Sequence, residues 1–405
     1  MTQSFDICVR GAGIVGQTLA LLLAREKFRV ALVGNTRPAV PSPQDVRAYA
    51  LNEASHQLLL GLRAWPEGSA VTPMARMQVH GGQSQSANPA TQNPSGHLTF
   101  SASEINQSAL AWMVEVPALE QQLSEAIRYQ PGITRLEQGD ASGAYSNGEP
   151  IHATLTVITE GRQSATRAEL GVPFNSRPYP QTALAARLRA SQPHQQTAHQ
   201  WFFENQILAL LPTGGPEGDT YALVWSAPHA PAAVLQTVGA EAFNDHLNQL
   251  LEKLAPGSEN PGSLTLASEV VGWPLFFSQA ERWCGAALET QPPSNAWVLA
   301  GDAAHTVHPL AGQGLNLGLA DAEALTRRLR DRPYWRSLAD LKGLRAYERE
   351  RKAGIWPMSW TTDGLQLLFE LSPAPLQTAR NWGLSAFDRS GPLKQWATKI
   401  AMGLT

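Results

Sequence analysis

Cysteine is scarce: Cys8 and Cys284 are the only two in 405 residues. Two thiols cannot form a disulfide framework, and Cys8 falls inside an apparent strand, so a reducing, cytoplasmic setting fits. Positive charge is not in excess either. Lys and Arg number 31 against 34 Asp and Glu, a net charge of −3, and the basic footprint of a nucleic-acid binder is therefore missing. Long apolar runs are absent. The longest near the N-terminus, Leu19–Ala24, is far below the roughly 20 residues of a membrane-spanning helix. The opening MTQSFDICVRGAG has neither the basic start nor the apolar centre of a secretory signal. No metal site is assigned. Hydrophobic residues make up 43% and charged residues 16%, enough apolar surface for a globular body rather than a disordered chain. The length suggests two joined domains or one elaborated domain.

The most informative stretch is WVLAGDAAHTVHPLAGQGLNLGLADAEAL, Trp297–Leu325. It reads as a buried strand from Trp297 to Ala300, a Gly301-Asp302 turn, a loop, and a helix from near Gln313. Leu315, Leu319, Ala322, Leu325 and Leu329 share one face of that helix. Asp302 leaves the strand where a carboxylate can accept hydrogen bonds from hydroxyls. Gly312 and Gly314 allow close approach of the backbone to a flat ligand. The amides and positive dipole end of the helix then point at that ligand, which suits a planar ring that becomes anionic on reduction.

A second motif stands at the N-terminus. Phe5–Val9 reads as a strand, Gly11-Ala12-Gly13-Ile14-Val15-Gly16 follows, then a helix with Val15, Leu19, Leu22 and Leu23 on one face, then a strand over Arg29–Val33. This is the βαβ setting that GxGxxG requires. Gly11 permits the tight turn, Gly13 admits a pyrophosphate, and Gly16 lets helix and strand pack closely. The acidic residue expected at the end of the second strand is missing, with Gly34 in its place and Asn35 after it. Losing one charge-assisted hydrogen bond costs about 1.5–3 kcal/mol, so weakened dinucleotide binding is expected.

GDAAHTVHPLAGQGLNLG resembles the second flavin motif of the single-component (class A) FAD-dependent aromatic hydroxylases, para-hydroxybenzoate-hydroxylase-like enzymes, and within them the branch acting in ubiquinone biosynthesis. The resemblance implies that Asp302 binds the ribityl chain of FAD and that Pro309, beside His308, lies at the reactive edge of the ring. It implies that the backbone of Gly312, Gln313, Gly314, Leu315 and Asn316 holds the pyrimidine end. His305 and His308 flank the loop; either could relay a proton from a substrate phenol, with a packed or solvent-facing histidine as the alternative. Arg47-Ala48-Tyr49-Ala50-Leu51 is similar to the family's Arg-x-x-Ala-Leu segment, whose Arg approaches the cofactor. Thr159-Glu160-Gly161-Arg162-Gln163-Ser164 is similar to its Ala-Asp-Gly-x-x-Ser motif, with Glu160 replacing Asp and Arg167 retained. Val116 stands where the family has Asn or Arg against the flavin.

The rest of the chain fits the same pattern. Asn52–Leu62 reads as a helix, Met77–Ser103 as two short strands joined by a polar loop, and Glu115–Tyr129 as a helix. Leu155–Ile158 reads as a strand returning to the nucleotide domain. Ala183–Leu188, Thr197–Phe203, Gln206–Leu211 and Tyr221–Ser226 read as strands, with Gly-Pro-Glu-Gly as the last hairpin turn. Such a sheet would wall a substrate pocket. Trp201, Phe203 and Trp225 are candidate pocket aromatics, with sheet core as the alternative. Glu241–Leu254 reads as an amphipathic helix. In the tail, Gly383-Leu384, Pro392-Leu393-Lys394 and Ala401-Met402-Gly403 match the family's ending. Trp356, Trp360, Phe369 and Trp382 there could cover the active site, meet a membrane surface, or pack as helix core.

The expected fold is α/β: a Rossmann-like FAD-binding domain with an inserted, mostly antiparallel β-sheet substrate domain and a C-terminal helical segment. The FAD-binding domain would comprise 1–75, 104–176 and 275–345, the substrate domain 76–103 and 177–274, and the C-terminal helices 346–405. The implied function is a monooxygenase. NAD(P)H reduces FAD, and O2 supplies the oxygen atom placed on an electron-rich phenolic, polyprenylated ring. No second GxGxxG indicates a separate nicotinamide domain. Other ubiquinone-biosynthesis proteins and the inner-membrane surface are the expected partners, with no nucleic acid. The alternative, prompted by Gly34, Val116 and Glu160, is a flavin-poor relative that binds the same lipid or scaffolds the assembly.

Overall fold

The computed structural model describes residues 4–34, 45–81, 97–136, 145–146, 149–255, 260–286, 295–306, 314–354 and 390–391. Strand β1 (Ser4–Arg10) is buried on both faces, as its run of apolar residues requires at the centre of a parallel sheet. Helix α1 (Ile14–Arg25) follows, then β2 (Val30–Val33), β3 (Ala48–Leu51) and α2 (Glu53–Gly61). Asn52 caps α2 by accepting the Ser55 amide at 3.0 Å. The chain continues through β4 (Val71–Met74), β5 (Arg76–Gly81), β6 (His97–Ser101), β7 (Ala111–Glu115) and α3 (Val116–Arg128). Pro117 sits in the first turn of α3, where its missing amide leaves nothing unsatisfied. Next come β8 (Ile133–Leu136), the short pair β9 (Tyr145–Ser146) and β10 (Glu149–Pro150), β11 (His152–Ile158) and α4 (Ala165–Glu169). A run of long strands follows: β12 (Phe174–Ala190), β13 (Thr197–Phe203), β14 (Gln206–Thr213) and β15 (Thr220–Pro228). Helices α5 (His229–Thr237) and α6 (Ala240–Leu254) precede β16 (Leu264–Leu266), β17 (Val271–Ala280), β18 (Cys284–Ala286), β19 (Ala296–Leu299), β20 (His305–Thr306) and α7 (Gly314–Arg330). A further helix covers residues 341–354.

Besides the β9-β10 pair, three sheets organise these elements among the described residues. The first has the order β18-β19-β11-β1-β2-β8, parallel throughout except for β18. Helices α1 and α7 and the elements around them close a single core over it, with Leu19, Leu23, Leu319 and Leu325 fully buried. The second runs β20-β17-β12-β15-β14-β13-β5-β6, with β16 added on β12. It is antiparallel except where β5 meets β13. The remaining sheet has three antiparallel strands in the order β3-β7-β4.

The mixed α/β architecture agrees with the sequence reading, and so do the individual strands and helices named there. Two elements differ. Strand β12 is longer than Ala183–Leu188, because its first half pairs only with β17 and tolerates Pro178 and Pro180; the register shifts between Pro178 and Thr182, as prolines without donors dictate. Helix α5 was not anticipated, since HAPAAVLQT carries no capping signal. Strand β17 carries the large sheet to Ala280, past the Trp273-Pro274-Leu275 segment, and there pairs with β20. Both cysteines are buried and unpaired with each other, and burial pushes their thiols up to about 12.

Candidate active site

The three N-terminal glycines do different work. Gly11 has φ +110°, and a Cβ there would lie 2.5 Å from the Thr159 carbonyl oxygen. Its amide donates to Val33 O at 2.8 Å, and the Thr159 hydroxyl donates to Arg10 O and Gly11 O at 2.9 and 3.0 Å. A Cβ on Gly16 would come within 1.8 Å of Gly11 O. These two positions close the turn between β1, α1 and β11. A Cβ on Gly13, by contrast, would meet nothing within 4 Å. Gly13 is the N-cap of α1, and no side chain caps that end. The uncapped amides therefore face an open cradle, which fits an anionic group such as a pyrophosphate.

Gly34 explains itself locally. Its φ is +148°, and a Cβ would sit 2.9 Å from the Ala12 nitrogen, so β2 can pass over the glycine turn only without a side chain. Asn35 lies outside the described residues. Glu160 is held by the protein itself. It accepts from the hydroxyls of Ser164 and Thr166 at 2.7 Å each and from the Thr166 amide at 3.1 Å, and it pairs with Arg10 at 3.3 Å. Burial alone would raise its carboxyl, but these hydrogen bonds and Arg10 bring it below the ordinary value. Arg167 donates to Ala303 O at 2.9 Å and Arg162 O at 2.7 Å and stacks on Phe174, tying this turn to the Gly-Asp turn.

That second turn hangs on a buried carboxylate. Asp321, on α7, is fully buried. Its Oδ2 accepts the Gly301 amide at 2.9 Å and His305 Nε2 at 2.7 Å, and its Oδ1 accepts Arg351 Nε at 2.5 Å. Burial pushes this carboxyl up, yet the neighbouring His305 and Arg351 outweigh burial and its net direction is downward. His305 also stacks on Trp283, with ring centroids 5.0 Å apart. It is thus a packed histidine that does not face the cavity described below. Gly301 (φ +62°) and Gly318 both abut Val15; a Cβ on Gly318 would fall 2.7 Å from Val15 Cγ2. The start of α7 is fixed by the Asn316 side chain, which accepts from the Asn52 amide (3.0 Å) and Ser55 hydroxyl (2.7 Å) and donates to Ala50 O (2.8 Å).

Between the turn and the large sheet lies a cavity of about 460 Å³. Its floor carries Arg47, Tyr49, Arg162, Asp302, Thr306 and Gly314; its sheet wall is mostly apolar, with Ala183, Ala185, Ala209 and Ala222 set among larger side chains such as Leu184, Ile207, Trp273 and Phe276. Asp302 is open to solvent at the bottom of this concavity and makes no hydrogen bond or ion pair among the described residues. The protein around it raises its carboxyl above the ordinary value, against the pull of His305 and Arg162 and with a smaller push from Asp321. Tyr49 is also raised, by burial and then by Asp302. Arg47 reaches the cavity while paired to Asp45 (2.6 Å) and, more distantly, Glu120 (3.9 Å).

A family profile described as FAD binding domain matches residues 285–360. The 3-demethoxyubiquinol 3-hydroxylase of Escherichia coli (strain K12) is 30% identical over 419 residues, covering 99% of each chain. The ubiquinone biosynthesis monooxygenase COQ6 of Danio rerio is 28% identical, covering 97% of this chain and 88% of its own. The chain belongs to the class A FAD-dependent hydroxylases, in their ubiquinone-biosynthesis branch. Solved structures share the fold of this hydroxylase. PqsL of Pseudomonas aeruginosa superposes with a TM-score of 0.72 at 21% identity, covering 95% of this chain and 100% of its own. The p-nitrophenol 4-monooxygenase PnpA of Pseudomonas putida gives 0.70 at 15%, covering 100% and 99%.

In this hydroxylase Arg47, Asp302 and Gly314 line the cavity; Gly11, Gly13 and Gly16 form the glycine turn at the start of α1, Gly301 lies against Val15 of that helix, and Leu315 and Asn316 are buried in the first turn of α7, where the Asn316 side chain anchors the helix. His308, Pro309, Gly312 and Gln313 lie outside the described residues, as do Trp356, Trp360, Phe369 and Trp382. The candidate pocket aromatics are placed elsewhere. Trp201 and Trp225 are buried in the core between the sheet and helices α5 and α6, with Phe203 at its margin, and none of the three lines the cavity. The alternation along β13 and β15 puts them on the face opposite Ala198 and Ala222. Sequence reasoning overlooked Asp321, Gly318 and Tyr49. Asp321 had a signal: it lies four residues before Leu325, on the buried face of α7, where a carboxylate needs partners.

Proposed function

We propose that this FAD-dependent aromatic hydroxylase acts on a polyprenylated phenol of ubiquinone biosynthesis, with NAD(P)H as its reductant and O2 as the oxygen source. The observation that carries this reading is the cavity: a mostly apolar sheet wall facing a floor that ends at Asp302. When bound, FAD would carry electrons from NAD(P)H to O2, so that one oxygen atom enters the ring and the other leaves as water. The chain's own residues supply the setting. The open amides beyond Gly13 would hold the pyrophosphate and Asp302 the ribityl hydroxyls, an acceptor with no competing partner among the described residues. Asp321 fixes the Gly301 amide and so the direction in which Asp302 leaves its strand. The N-terminus of α7 at Gly314–Asn316 presents its positive end to the electron-rich end of the ring system. The alanines and Val224 of the sheet keep water from the reacting ring and leave room for the start of an isoprenoid tail.

Among the described residues no helix is long and apolar enough to cross a membrane. A polyprenyl substrate nonetheless requires lipid access, so the proposal places the protein in the cytoplasm at the inner-membrane surface, beside other proteins of the pathway. The test is direct. Purified protein should bind FAD at micromolar concentration and turn yellow. A prenylated phenol should then accelerate NAD(P)H oxidation and gain one oxygen by mass. Protein that stays colourless in excess FAD would overturn this reading in favour of a lipid-binding or scaffolding role.

A further inference from the structure

Two polar side chains interrupt the apolar sheet wall of the cavity. Gln200 on β13 and Ser226 on β15 are 6% and 4% exposed, and both line the cavity. Strand alternation sets their direction. Trp201 and His199 flank Gln200 on the opposite face, and Trp225 flanks Ser226 in the same way; Ala198 and Ala222, which share the parity of Gln200 and Ser226, pack on the cavity side. Neither side chain has a hydrogen-bond partner among the described residues. Their polar atoms open onto the cavity and are not sealed in the core, so each is placed to hydrogen-bond a group held there, which alanine, the residue used beside them, cannot do. Their retention at a cavity wall indicates that a ligand completes them.

Their spacing restricts that ligand. Gln200 pairs with Ala209, Ala209 with Val224, and Ser226 lies two residues beyond Val224. The two Cα positions are therefore about 12 Å apart by strand geometry. A single aromatic ring with oxygens on two edges spans such a gap with a hydrogen bond of about 2.8 Å at each end. We infer that Gln200 and Ser226 recognise ring oxygens of the substrate. The Gln200 carbonyl accepts a phenolic O–H, and its NH2 or the Ser226 hydroxyl donates to a second ring oxygen. These two residues thereby select oxygenated rings over the bare prenylated hydrocarbon and fix which ring carbon faces the cavity floor. The inference rests on the hydroxylase reading above and adds its specificity determinants.

The experiment uses full-length, FAD-loaded protein and two soluble probes: 2-allyl-4-methoxyphenol, whose oxygens lie on opposite edges of the ring, and allylbenzene, which lacks both oxygens. Dissociation constants are measured by titration of the flavin absorbance for the wild type, Gln200→Met and Ser226→Ala. The wild type should prefer the phenol, and each variant should lose about fivefold to tenfold of that preference while keeping its affinity for allylbenzene. Unchanged preference in both variants overturns the inference, as does an equal loss for both probes, the signature of a packing defect. Ser226→Ala removes one oxygen atom and guards against misfolding of Gln200→Met. If the wild type takes up FAD but shows no preference, the specificity inference fails alone; if it takes up no FAD, the hydroxylase reading falls with it.

Discussion

Alanine at Gly13 and alanine at Gly16 should have opposite effects, and the pair tests how the N-terminal motif works. At Gly16 the new methyl group starts 1.8 Å from the Gly11 carbonyl oxygen and 2.6 Å from the Thr159 hydroxyl. The first obstacle is backbone, so no rotamer change relieves it. The gap has to open to at least the 3.4 Å at which ordinary contact begins, and α1 must move while Leu19 and Leu23 stay locked in the core. Overpacking of this kind costs about 1–3 kcal/mol, here at the upper end. At Gly13 the methyl meets nothing within 4 Å, and φ is −76°, a conformation open to alanine. Stability without cofactor should change by less than about 1 kcal/mol. The same methyl would fill the cradle in front of the α1 amides and displace the pyrophosphate. Losing one or two charge-assisted bonds at about 1.5–3 kcal/mol each weakens FAD binding by about a hundredfold. Chemical denaturation of the FAD-free proteins and FAD titration by flavin fluorescence read the two effects separately. Wild-type FAD affinity in Gly13→Ala, or wild-type stability in Gly16→Ala, would refute the assignment.

Asp321→Asn keeps the shape of the hub but removes the charge facing His305 and Arg351; breaking a buried pair in this way should cost about 3 kcal/mol by urea denaturation and weaken FAD binding through the Gly301 turn. The Asp321 carboxyl titrates below its ordinary value in the folded protein, so its stabilisation is complete above the unfolded value of about 3.9 and is lost as pH falls through the lower folded value. Acid-unfolding curves of the wild type should steepen below about pH 4, and Asp321→Asn should flatten that limb; parallel curves would contradict the hub. Glu160→Asp restores the residue typical of the family but shortens the reach to Ser164 and Thr166. It should lose about 1–2 kcal/mol of stability without tightening FAD, and tighter FAD binding at unchanged stability would show that Glu160 is instead a defect of the cofactor site.

Much of the frame was legible because its signals are local. The GxGxxG turn lies between an apolar strand and an apolar helix face, and α7 announces itself by leucines at helical spacing. What escaped depends on contacts distant in sequence. Asn316 reaches Asn52 and Ser55 across more than 260 positions, and nothing near either end marks the pairing. The pocket wall stayed open between two readings, pocket aromatics or sheet core, for a different reason. Alternation on β13 and β15 reveals two faces but not which one borders a cavity, and aromatic size suggested Trp201, Phe203 and Trp225. A cavity is space left by small side chains, so the alanine parity was the better guide, and the bulky parity filled the core under α5 and α6. The length of β12 was hidden by Pro178 and Pro180, which argue against a strand unless the edge pairing with β17 is known.

The departures from the family pattern acquire a different meaning once partners are counted. Taken one at a time, Gly34, Val116 and Glu160 look like lost cofactor contacts. In the folded chain each is enclosed by local requirements: Gly34 clears Ala12, Val116 is fully buried in the core, and Glu160 is saturated by Arg10, Ser164 and Thr166. Beside Val116, Arg187 pairs with Glu115 and donates to Arg47 O, so that corner is braced by the protein rather than by a ligand. Three side chains with no hydrogen-bond partner among the described residues stand together elsewhere: Asp302, Gln200 and Ser226. All three line the cavity between the Gly-Asp turn and the large sheet. Their position on that one cavity argues that the binding function resides there, and that the substitutions at Gly34, Val116 and Glu160 changed how the scaffold supports the site rather than what it binds.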